Sequence, residues 1–158
     1  MKIFVSSLDV PIGYVTPKFP AIFWPLGSTQ PRYNELFLYY SIDIWKFTVY
    51  WVMIFFSGAY FLVGVAAFVS MNLRAYRERK IVPSKKKTVV VQLVIVAVLY
   101  LIVGASQGFL LGAIIALLLA AIYRAGALAM STWIPFCWGM ALILYHICSS
   151  YSTSLLLI

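Results

Sequence analysis

Three long stretches without charge dominate the chain. Phe47 to Met71 contains no Asp, Glu, Lys or Arg, and about 20 apolar residues suffice to cross a bilayer core. A first membrane-spanning helix is therefore expected at 47–71, with Trp45, Tyr50 and Trp51 at its outer end and Asn72 and Arg74 at its inner end. Such aromatic and basic residues favour the two boundaries of a bilayer. The third stretch, Ile134 to Tyr151, predicts a span over 133–151. Ser131 or Thr132 can cap its start, and Pro135 is tolerated in a first helical turn.

The second stretch, Val89 to Tyr123, is longer than a span requires. As one helix it is about 50 Å long at 1.5 Å per residue, against a hydrocarbon core about 30 Å thick. It forms either one tilted helix over 89–123 or a hairpin turning near Gly104-Ala105-Ser106-Gln107-Gly108. The spacing favours one helix. Gly104, Gly108, Gly112, Ala116 and Ala120 recur every fourth residue, with Arg124 at the next step. A period of four stays on one helix face for several turns, and no proline or charge is present to build a turn in lipid. Small residues so spaced let helices approach closely. Gly58 and Gly64 on the first span are candidate receivers, though the stripe does not itself identify its partner.

Before the first span the pattern changes. Residues 1–46 hold Pro11, Pro17, Pro20, Pro25 and Pro31 among frequent aromatics. Prolines at that density forbid a long helix, and rings with one dry and one wet side suit the headgroup zone. An extended N-terminal interfacial segment is expected, lying on the membrane surface or against a partner. From Asn34 to Lys46 the spacing becomes helical, with Leu36, Tyr40, Ile44 and Phe47 on one face and Glu35, Tyr39, Asp43 and Lys46 on another. A short interfacial helix leading into the membrane is predicted there. Lys2-Ile3-Phe4-Val5 opens like a signal peptide, but Asp9, Pro11 and Pro17 break the apolar run, so the first span is expected to do the targeting.

Composition agrees with a membrane interior. Of the 158 residues 64% are hydrophobic and 10% charged, where a water-surrounded domain carries roughly 25% charged residues. The fold class is thus all-α and polytopic, with a transmembrane domain at 47–158. The net charge of +8 is concentrated: Arg74, Arg77, Arg79, Lys80, Lys85, Lys86 and Lys87 crowd the 72–88 loop, with Glu78 as the one acid. Basic residues collect in cytoplasmic loops, so the N-terminus is expected in the lumen and the C-terminus in the cytosol. Each basic residue near an anionic leaflet contributes about 1 kcal/mol of attraction, and lipid headgroups explain the loop better than nucleic acid.

Candidate chemistry is sparse. An enzyme site needs convergent polar groups, whereas His146 stands with no acid after Glu78 to orient it, and Cys148 falls on a different helix face. One His and two Cys in the spans are too few for a metal centre. Cys137 and Cys148 read as apolar fillers, not a disulfide. Ser106 and Gln107 are costly at mid-membrane and read first as interhelical hydrogen-bond formers. No enzyme, cofactor or catalytic residue is expected. Arg124, at the membrane boundary, is a candidate snorkelling anchor, helix C-cap or phosphate ligand.

Tyr123-Arg124-Ala125-Gly126, after the Ala/Gly-rich helix and before Met130 and Ile134-Pro135-Phe136, resembles the signature of the transmembrane protein 170 family. Asp43-Ile44-Trp45, with Trp51 beyond, resembles that family's acidic-x-Trp start of the first span, and Leu73-Arg74 its end. The likeness covers about residues 43–150. This chain departs from it in a longer spacer between Met130 and Ile134, a longer second span without proline, and a Pro/aromatic N-terminus. The resemblance implies a small three-span endoplasmic-reticulum protein with a lumenal N-terminus. It also implies a non-enzymatic subunit that anchors or assists a large bridge-like lipid-transfer protein moving phospholipids between membranes. The alternative it implies is a protein that shapes the endoplasmic reticulum and nuclear envelope by itself.

Overall fold

A computed structural model of the chain describes residue 10, residues 12–20, residue 22, residues 37–78 and residues 86–155. Three helices, α1 (Ser41–Glu78), α2 (Lys86–Ala125) and α3 (Trp133–Leu155), are joined at one end by two short strands, β1 (Phe37–Leu38) and β2 (Met130–Ser131). Each helix contains a segment long and apolar enough to cross a membrane: Ser41–Ser70, Val91–Ala125 and Trp133–Tyr151. The second apolar stretch is one helix throughout.

The short helix predicted over 34–46 is not a separate element. Phe37 and Leu38 are extended, and α1 begins at Ser41, so the 46/47 boundary falls inside a continuous helix. The backbone explains the start: Asp43 N and Ile44 N both donate to Tyr40 O, at 3.0 and 3.1 Å. Asp43 stands in the first turn, where negative charge favours the helix dipole. The expected face survives in part, with Ile44 and Phe47 buried and Tyr40 half exposed. Asn34 to Leu36 lie outside the described residues.

Helix α1 is the spine. Val49 faces Gly112, Phe56 faces Gly104 and Gly108, and Tyr100 faces Gly64, so α2 runs antiparallel along its length. On its other side Trp51 meets Phe136, Phe55 meets Gly139 and Tyr60 meets His146. These pairs advance together along both helices, so α3 runs parallel to α1. Helices α2 and α3 make almost no close contact with each other.

At the outer end, β1 and β2 pair antiparallel, Phe37 with Ser131 and Leu38 with Met130. Leu38, Ile44, Phe47, Leu119, Ala120 and Met130 form the core beneath this clasp. The described N-terminal stretch folds onto it. Phe19 packs against Phe47, Tyr50 and Trp51 with centroids 5.6, 5.3 and 5.2 Å away. Tyr14 Oη donates to Phe37 O at 2.7 Å. Burial, reinforced by the Asp43 carboxylate, pushes the Tyr14 pKa up to about 12, so the phenol keeps the proton it donates.

Helix α2 ends in a Schellman motif: Leu128 N donates to Tyr123 O (3.1 Å) and Ala127 N to Arg124 O (3.2 Å). Ala127 takes the left-handed conformation, φ 48°. These backbone bonds occupy the carbonyls of the last turn, and the Arg124 side chain is exposed.

Candidate functional site

The stripe on α2 is a contact surface with almost nothing between two backbones. A Cβ added at Gly104 would stand 2.8 Å from Tyr60 Cβ and 3.1 Å from Phe56 O. At Gly108 it would stand 2.9 Å from Phe56 Cβ and 3.1 Å from Met53 Cα, and at Gly112 3.1 Å from Val52 Cβ. Ala116 and Ala120 continue the buried row. Of the expected receivers, Gly64 meets Tyr100, whereas Gly58 has nothing within 4 Å of an added Cβ. The surface receiving the stripe is Val49, Val52, Met53, Phe56 and Tyr60. Large residues on α1 fill the hollow the glycines leave, so a receiving face needs no glycine of its own.

Directly beside Gly104 and Gly108 the three helices meet at polar side chains. Tyr60 Oη on α1 donates to Gln107 Oε1 on α2 and lies 3.1 Å from His146 Nε2 on α3. A phenol has one proton. Given to Gln107, it leaves the Tyr60 oxygen to accept from His146 Nε2–H, so the neutral imidazole presents Nδ1 as an acceptor. The His146 ring also packs on Phe56, centroids 5.3 Å apart. His146 is thus partnered, not alone. Gln107 makes the interhelical bond expected of it, but Ser106 does not, because its hydroxyl donates to Val103 O in its own helix at 2.9 Å. Such bonds in lipid contribute about 0.6 kcal/mol on average. Tyr60 carries no sequence signal, since a tyrosine in an apolar run reads as a boundary or filler; only Gln107 and His146 stood out.

At the outer end Trp51, Phe55, Trp133 and Phe136 form an edge-packed ring cluster, with Trp51–Phe136 centroids 5.0 Å apart. Trp51 Nε1 and Thr132 Oγ1 are buried there without a hydrogen-bond partner. Thr132, one of the two candidate caps, therefore does not cap α3. The added residues between Met130 and Ile134 hold the end of β2 and this buried threonine. Pro135 is fully buried in the first turn of α3. Of the family-motif residues, Asp43 and Trp45 are half-buried in the first turns of α1, and Tyr123 packs against the clasp core. Cys137 and Cys148 are free and exposed, so neither fills the interior.

The basic residues divide between the two inner helix ends. Arg74 and Arg77 lie in the last turns of α1, and Lys86 and Lys87 in the first turn of α2. Arg79, Lys80 and Lys85 lie outside the described residues. Among the described residues no group of three His, Cys, Asp or Glu is placed to hold a metal ion.

Comparison with known proteins agrees with this architecture. No solved structure matches the chain. An uncharacterized protein of Saccharomyces cerevisiae, YPR153W, is 40% identical over 152 residues, which is 96% of this chain and 96% of the yeast protein. That alignment takes in most of the Pro/aromatic N-terminus. The profile of the family described as transmembrane protein 170A/B-like matches residues 37–157, from β1 through α3. The chain belongs to the transmembrane protein 170A/B-like family.

Proposed function

We propose that this chain is a non-enzymatic, multi-pass subunit of the endoplasmic-reticulum membrane that anchors or assists a large bridge-like lipid-transfer protein carrying phospholipids between membranes. The observation supporting it is surplus apolar length. Val91–Ala125 is apolar over about 50 Å, whereas the hydrocarbon core is about 30 Å thick. Surplus of this kind must be tilted, met by a thicker bilayer or covered. The α2 face opposite the stripe is exposed throughout, through Val94, Val98, Ile102, Leu110, Ile114 and Leu118. A partner's membrane helix laid on that face would cover it. In this reading the basic inner loop faces the cytosol, beside anionic headgroups.

Purification in a gentle detergent is the test: a very large partner in fixed ratio is expected, and recovery as a monomer or homo-oligomer alone would overturn the reading. Orientation is tested separately. Thiol labels applied from the cytosol should reach a cysteine placed at Ser84, and only lumenal labels one placed at Ala127.

One observation favours the second reading, a membrane-shaping protein acting alone. Ile12 and Val15 are exposed at the outer end, where apolar side chains load one leaflet. Vesicles containing the pure protein would then change curvature unaided.

A further inference from the structure

We propose that the Tyr60–Gln107–His146 node is a binding site for the headgroup of a hydrogen-donating phospholipid, drawn in between α2 and α3 from the basic-loop end. The site lies within this chain, so it stands apart from the assembly reading above.

Depth comes first. Gln107 lies about 25 Å from either end of the Val91–Ala125 span at 1.5 Å per residue. His146 lies about 20 Å along α3 from the Trp133 end of its span and about 8 Å from the Tyr151 end, on the side of the basic loop, by the same rise. A polar group so deep costs free energy unless every hydrogen-bonding atom is satisfied.

The node leaves that requirement unmet. Its two bonds use Gln107 Oε1, His146 Nε2 and the Tyr60 hydroxyl. No described residue takes the Gln107 amide N–H groups or His146 Nδ1. Both residues are half-buried, and neither is among the side chains sealed away from the surface without a partner. Two donors and an acceptor therefore open at the flank of the bundle, where α2 and α3 hardly touch. A group that both accepts and donates suits this set. A phosphate or ester oxygen accepts from Gln107, and an ammonium or hydroxyl donates to Nδ1.

A polar route leads to the node from one side. One turn beyond His146 on α3 come Ser149 and Ser150, both exposed, on the helical spacing that shares its face. The sequence then continues Ser152-Thr153-Ser154 toward the end where the basic residues gather. A partner helix with one polar residue would need the node but not this seam. A lipid entering headgroup first uses both.

The test places the full chain in vesicles containing a phosphatidylethanolamine or phosphatidylcholine analogue with a photoreactive group beside the glycerol. Cross-linked peptides are then mapped. Label on α2 near Gln107 and on α3 over 145–150, stronger for ethanolamine than for choline, is the expected result. Gln107→Leu and His146→Phe should each lower it by about fivefold, as losing one hydrogen bond in an apolar setting does. Those variants also disturb Tyr60. Ser150→Leu changes an exposed seam residue alone and should lower the label about twofold, by the loss of one weaker polar contact. Label spread evenly along the outer face of α2, equal for both lipids and unmoved by Ser150→Leu, would mean ordinary annular lipid and overturn the proposal. Cross-linking of the node to a second protein chain would overturn it equally.

Discussion

Along α2, Gly104, Gly108 and Gly112 bring no side chain of their own, so α1 packs directly against their backbone, whereas along α3, Phe136 and His146 meet α1 through rings. The first interface is long and near-continuous; the second rests on an outer ring cluster, one glycine under Phe55 and one polar node. Lipid tails are as apolar as leucine, so neither interface gains from expelling water, and each must gain from closeness or from hydrogen bonds. The α1–α2 pair uses closeness and tolerates no added atom. The α1–α3 pair uses adjustable rings and a directional bond, which permit movement and can be remade. A helix fixed on one side and adjustable on the other is a spine with one movable neighbour.

The contrast breaks most sharply at Gly108. The atoms facing an added Cβ there include Met53 Cα at 3.1 Å, part of a backbone that cannot step aside. Gly108→Leu should cost about 3 kcal/mol of helix association, at the upper range for overpacking, while insertion proceeds normally. A steric-trap measurement in bicelles reads that loss, and an unchanged value would mean that α1 and α2 are not held by backbone proximity. Gly139 is the matched position on α3. Its nearest obstacle is Phe55 Cδ2 at 2.8 Å, on a ring able to turn, although Trp51 C stands behind at 3.3 Å. Gly139→Ala should cost about 1.5 kcal/mol in the same assay, and a cost equal to that of Gly108→Leu would erase the distinction between rigid and adjustable sides. Tyr60→Phe removes both bonds of the node and keeps the ring. A loss of about 1 kcal/mol is expected, divided between the bond to α2 and the bond to α3, so a cysteine pair between α1 and α3 should form its disulfide markedly more slowly, and an α1–α2 pair, which the glycine stripe also holds, only slightly. The smallest effect belongs to Gly58, which faces open space. Gly58→Ala should leave stability unchanged or raise it by up to about 0.5 kcal/mol through helix propensity, and a clear loss there would place a close neighbour where none is seen.

The three spans, the continuity of α2 and the stripe were legible because they rest on period and on the absence of charge, which a sequence displays directly. The fate of residues 34–46 was not. Helical spacing there competed with a two-residue strand whose partner, Met130–Ser131, lies beyond two complete spans. No local pattern announces so distant a pairing. The end of α2 was hidden in a comparable way: Arg124 in the last turn is the visible cap candidate, while the cap present is made by the backbone of Ala127 and Leu128. Ala127 at φ 48° carries no glycine to reveal it; the glycine sits one residue earlier, at Gly126. At the node, the sequence marked two polar residues on separate helices. Tyr60, which joins them, is indistinguishable in its own apolar run from its ring-bearing neighbours Phe56 and Phe61. The expected receiver Gly58 failed because a glycine face does not require a glycine opposite it.

The strand clasp also sets an order in time. Leu38 pairs with Met130 and Phe37 with Ser131, so the outer end cannot close until the chain has been synthesised past Ser131. At about 5–20 residues per second, the roughly ninety intervening residues take on the order of 5–20 s to emerge. For more than half of that interval α1 has already been synthesised in full, yet β1 and the stretch carrying Tyr14 and Phe19 must wait without the strand that orders them. The N-terminus is made first and finished last.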